Sequence, residues 1–116
     1  MFIYELTAKE LRDKFLSGEI SAEEIVNSFY ERIEKIEDKV KSFVSLRKEL
    51  ALEEAKKLDE KRKNGEKLGK LAGIPLAIKD NILMEGQKST SCSKILENYV
   101  GIYDATVVKK LKEEDA

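Results

Sequence analysis

The stretch "LAGIPLAIKDN", Leu71 to Asn81, is apolar until it runs into Lys79. A lysine in that place is either a solvated strand end or an amine placed for chemistry. A free lysine titrates near 10.4 and must fall by about three units to take a proton near neutral pH. Burial against apolar walls supplies such a shift. Pro75 and Ala77 share its face of the expected strand and leave room beside it. Spacing permits a placed base without demanding one, and the solvated strand end is the plainer reading. The chain has no histidine, so the commonest general base and the commonest metal ligand are absent. Any catalysis falls to Lys, Ser, Thr, Tyr, Cys or a carboxylate. Cys92 is the single cysteine. With no evident cation to activate it, it reads as a structural thiol rather than a nucleophile. Asp80 and Asn81 read as the turn that aims Lys79, a supporting role without chemistry. Tyr99 and Tyr103 read as packing.

Composition bounds the classes. The 116 residues suit one small domain. Charged residues make up 39%, with 22 basic against 23 acidic, so no overall field draws the chain to nucleic acid or an anionic membrane. No apolar run is long enough to span a bilayer, and the charged start lacks the apolar centre of a secretory signal. One cysteine cannot form an internal disulfide, which fits a reducing compartment.

The elements that must position Lys79 begin with two helix starts. Thr7-Ala8-Lys9-Glu10 and Ser21-Ala22-Glu23-Glu24 are capping boxes, each flanked by a hydrophobic staple (Leu6 with Leu11, Ile20 with Ile25). Gly18 supplies the first stop. Ile25, Val26, Phe29, Ile33 and Ile36 then form one helical stripe. Val40 to Leu46 suggests a short strand. Arg47 to Lys63 returns to helix, with Glu53–Lys57 and Asp59–Lys63 as pairs four apart. Its thin stripe (Ala51, Ala55, Leu58) predicts a surface position. Lys61, Arg62, Lys63, Lys67 and Lys70 admit a phosphate-binding reading, but no aromatic interleaves, and a solvated turn is the better one.

Leu71 to Lys79 is the first good strand, with Ile74, Leu76 and Ile78 on one face; Pro75 belongs at a start or edge. Asp80-Asn81 and Glu85-Gly86 are turn material. Ser93 caps a short helix through Leu96, and Asp104 a last helix with Val107, Val108 and Leu111 inward. That helix ends on Glu113, Glu114 and Asp115, against its dipole and with no Gly or Asn to close it. A further strand is expected after it. The chain reads as the front part of something larger.

"GIPLAIKDN", "SKILENY" and "YDATVVKKLKE" together resemble the opening of the amidase signature family, in the branch that serves as the glutaminase component of tRNA-dependent amidotransferases. The resemblance implies an α/β fold of which this is the amino-terminal part: a helical segment 1–64, then the start of the α/β core at 65–116. It implies that Lys79 is the lysine of a Ser–cis-Ser–Lys triad, with Asp80 and Asn81 supporting it. Neither triad serine is matched here, since "STSCS" lacks the flanking glycines, so the chain alone is expected to be inactive. In relatives the same loop reads more like Thr-Thr-Cys, and Asp115 stands where a glycine is usual. The implied substrate is glutamine, and the implied partners are the B and C subunits of a cytoplasmic heterotrimer. Glu-tRNA(Gln) would be held mainly by the partner subunit, which uses ATP and Mg; no cofactor or metal is implied for this chain. The rival readings are a stand-alone amidase of the same family and a non-catalytic helical interaction module.

Overall fold

Both capping boxes form in the computed structural model, which describes residues 1–116. Thr7 Oγ1 accepts from the Glu10 amide at 3.3 Å, and the Glu10 carboxylate accepts from the Thr7 amide at 2.8 Å. Ser21 and Glu24 repeat the exchange at 3.0 and 2.7 Å. These boxes open α1 (Ala8–Ser17) and α2 (Ala22–Val40). Gly18 closes α1 in the left-handed region, φ +81°. Leu11 and Ile25, the inner halves of the staples, are buried, while Leu6 and Ile20 pack against the same cluster.

α3 (Lys48–Lys63) runs along α2 rather than lying free on the surface. Its small Ala55 joins Leu11, Phe15, Ala22, Ile25 and Ala72 in the core. Full burial of a residue such as Phe15 or Ile25 contributes about 1.5–3 kcal/mol. The charges of α3 are used differently from the expected pairs. Asp59 does not pair with Lys63; its carboxylate accepts from the Ala22 and Glu23 amides at 2.8 and 3.2 Å, capping α2 from outside. Arg62 donates to the carbonyls of Phe15 and Ile20 and lies 4.6 Å from the Phe15 ring centre. One acid and one base thus weld α3 to α1 and α2. Arg62 is held inside the protein and Lys61 pairs with Asp115 at 3.0 Å, which removes both from any phosphate patch.

Neither expected strand forms a ladder. Residues 41–47 are irregular, and so are 74–79. The only bridges are isolated ones, Glu85 with Gly101 and Lys88 with Val100. The composition of 74–79 suits a strand, but a strand exists only against a partner, and no segment of this chain offers one. The intended faces are also blurred, with Leu76 46% exposed. The backbone hydrogen bonds of this stretch stop at Ile74 N to Leu71 O and resume at Ile82 N to Lys79 O.

α4 (Thr106–Glu113) has Ala105, not Asp104, at its start. Asp104 instead accepts from the Glu85 amide and the Lys112 ammonium, both at 2.8 Å. Val108 is buried as expected, but Val107 is 48% exposed. Residues 94–97 form turns rather than a capped helix. The acidic end of α4 proves well supported. Asp115 takes the left-handed conformation a glycine would take, φ +63°. Its carboxylate accepts from the Gly69 amide at 2.7 Å, and Glu114 accepts from the amides of Lys70 (2.8 Å) and Leu71 (2.9 Å). Local dipole logic counts these acids as misplaced; tertiary donors that the local sequence does not reveal satisfy them.

Candidate functional site

Lys79 stands at the end of the irregular stretch 74–79 and is exposed. None of the seven ion pairs involves it. An apolar groove of about 400 Å³ runs between α2, α3 and α4 and is lined by residues 73–78, but it stops one residue short of Lys79.

Asp80 is the connected member of the motif. Its carboxylate accepts from the Thr90 amide at 3.0 Å, from the Thr90 hydroxyl, and from the Cys92 amide at 3.2 Å. Its own carbonyl accepts from the Ser91 amide at 3.1 Å. The Thr90 hydroxyl and these amides hold the Asp80 carboxyl below the usual carboxylate range. Asn81 is exposed and makes no comparable bond. The structure thus joins Asp80, the residue after Lys79, to the loop 89–92, a connection that sequence reasoning missed. The available signal was an aspartate ten residues ahead of a hydroxyl-rich loop, each in need of a partner.

Cys92 is exposed, and its Sγ lies 4.0 Å from the Asp80 carboxylate. Its neighbour is an anion, not the cation that activates a thiol. Ser89 is buried, with its hydroxyl unpartnered. Tyr99 and Tyr103, expected to pack, are 38% and 54% exposed. No group of three or more His, Cys, Asp or Glu side chains comes together, and no helix is long and apolar enough to cross a membrane.

Residues 24–116 match the model of the amidase family. The chain belongs to that family. Among amidase relatives, it is 90% identical over 114 residues to the A subunit of glutamyl-tRNA(Gln) amidotransferase from Fusobacterium nucleatum, covering 98% of this chain and 23% of that one. It is 49% identical over 116 residues to the protein of the same name from Carboxydothermus hydrogenoformans, covering 100% and 24%. In three dimensions it is similar to a bacterial aryl acylamidase of the amidase signature family, with TM-score 0.91 and 29% identity over 96% of this chain and 24% of that one. The chain spans about a quarter of the length of the curated relatives it matches.

Proposed function

We propose that this sequence works within the glutamine-hydrolysing A subunit of a glutamyl-tRNA(Gln) amidotransferase, with Lys79 as its proton acceptor. The high identity to the Fusobacterium protein of that name, held across almost the whole chain, supports this reading. In the full-length protein the stretch 74–79 pairs as a core strand, giving the α/β architecture that this chain alone does not display. Lys79, neutral when desolvated there, takes a proton through a bridging serine from a nucleophilic serine. The serine oxygen attacks the carboxamide carbon of glutamine, an acyl-enzyme forms, and ammonia leaves. Water then releases glutamate. The ammonia passes to the B subunit, where ATP and Mg activate the glutamate on Glu-tRNA(Gln); the C subunit completes the cytoplasmic heterotrimer. The serines of 89–93 take no part in this chemistry, so the 116-residue chain by itself hydrolyses neither glutamine nor simple amides.

A stand-alone amidase is the second reading, favoured by the shape shared with the aryl acylamidase. One experiment separates the two. In the full-length protein, assembled with its partners, Lys79→Ala and Lys79→Arg should both abolish glutamine hydrolysis, with losses of about 10²–10⁴-fold or more. Arginine fails because it cannot become neutral near pH 7. Amidation driven by ammonium salt should survive in both variants. Glutaminase near wild type would remove Lys79 from the chemistry. Failure of the protein to join or respond to the other two subunits, with small amides hydrolysed freely, would favour the stand-alone amidase.

A further inference from the structure

Within this chain the backbone from Pro75 to Ile78 makes no hydrogen bond, and Lys79 is held through its carbonyl alone, which accepts from the Ile82 amide at 3.0 Å. The densest set of bonds beside it is at Asp80, one planar peptide away. There the carboxylate and carbonyl of Asp80 are gripped by the loop Ser89–Ser93 through Thr90, Ser91 and Cys92. Thr90 is the centre of the grip. Its amide and hydroxyl both donate to Asp80, and its hydroxyl oxygen accepts from the Cys92 amide at 3.2 Å. Thr90 is 5% exposed and Asp80 is half-buried, so water reaches these bonds only in part.

The loop adopts this shape against its own preference. Ser91 and Cys92 take consecutive left-handed conformations, φ +49° and +55°, which residues with a Cβ disfavour. Such conformations persist where the surroundings over-determine them, and they cluster at functional sites. Here the surroundings are the bonds to Asp80.

We propose that Thr90 is a positioning residue for Lys79: by locking Asp80 it fixes the backbone from which the lysine side chain departs. The inference rests on the reading of Lys79 as proton acceptor. It adds to that reading a residue of the loop 89–93, which takes no part in the chemistry itself.

The test uses the full-length protein, assembled with its partners. Thr90→Val keeps the shape and removes the hydroxyl; Thr90→Ser keeps the hydroxyl. Misplacing a reacting group by about 1 Å costs on the order of 10²-fold, so Thr90→Val should lower kcat for glutamine hydrolysis by about 10- to 100-fold. KM and ammonium-driven amidation should stay unchanged, and Thr90→Ser should restore kcat. Asp80→Asn, which weakens the same grip, should show the same selective loss and stands in if Thr90→Val fails to assemble. Wild-type kcat in these variants, with Lys79→Ala dead, would overturn the clamp alone. A parallel fall in glutamine- and ammonium-driven activity, or a rise in KM that carries the whole effect, would also overturn it. Wild-type glutaminase in Lys79→Ala would overturn the reading of Lys79, and the clamp's role with it.

Discussion

Replacing Asp59 by alanine removes the external cap of α2. The carboxylate accepts from the amides of Ala22 and Glu23, the first donors of that helix, and lies 3.7 Å from the Arg62 guanidinium. Its side chain is 13% exposed and that of Arg62 is 19% exposed, so water replaces the lost bonds only in part. Hydrogen bonds to a charged group are worth about 1.5–3 kcal/mol each, and loss of a single cap costs about 0.5–2 kcal/mol. The Ser21–Glu24 box still covers the next amide, which places the total at about 2–4 kcal/mol. Domains of this size have about 5–15 kcal/mol in hand, so the change is large. Urea unfolding of this chain, followed by far-UV circular dichroism, should show a midpoint lower by about 1–2 M for a slope near 2 kcal/mol per M. Asp59→Asn, which keeps one good acceptor, should fall between. A loss within about 0.5 kcal/mol, the level of an ordinary surface change, would refute the weld of α3 to α2.

Two further outcomes follow from packing and charge. The carboxyls of Glu10 and Glu24 (lowered first by the Thr7 and Ser21 amides), Asp80 (by the Thr90 hydroxyl) and Asp104 (by the Lys112 ammonium) all sit below their usual range. Burial pushes the Asp115 carboxyl up, but the Gly69 amide and the Lys61 ammonium outweigh it and leave it lowered too. In each case the unfolded chain binds the proton more readily, so the stabilisation is complete above about pH 5 and is lost as pH falls below about 4. A urea midpoint that stays flat down to about pH 3 would contradict this. Gly73→Ala adds a Cβ 2.8 Å from Cγ of the buried Phe15 ring at a φ of +80°. It should cost about 2–5 kcal/mol by combining overpacking with backbone strain. Gly18→Ala, at a similar φ of +81° but with nothing within 4 Å, should cost only the backbone part, about 1–2 kcal/mol. Equal losses at the two sites by thermal melting would disprove the contact.

The parts legible in the sequence were those decided within one or two turns of chain. Thr7 with Glu10 and Ser21 with Glu24 needed only their spacing, and the staples beside them pointed correctly to Leu11 and Ile25. Asp59 went to Lys63 because that residue lies four along the helix; its actual partners are amides 36 and 37 residues away. Glu114 and Asp115 looked misplaced for the same reason, since the donors at residues 69–71 are invisible to a local rule. The strand 71–79 has the right residues and no ladder, because pairing belongs to two segments and composition describes one. At the site, Lys79 stood out through its motif, and its family followed. Thr90 did not stand out, because its importance lies in a contact across ten residues with Asp80.

The clamp of Glu114 and Asp115 on residues 69–71 also sets an order of events during synthesis. α1, α2 and α3 can close their caps and core as soon as residue 72 has emerged, since Ala72 completes the cluster. The amides of Gly69, Lys70 and Leu71 must wait for acceptors made 43 to 46 residues later. At a synthesis rate of about 5–20 residues per second, that leaves them unpaired for roughly 2–9 seconds. Through that interval the nascent chain carries a finished helical unit, while residues 69–71 still lack their acceptors. A pause or an early release there would deliver helices that are folded and a segment 69–71 whose amides are still unpaired.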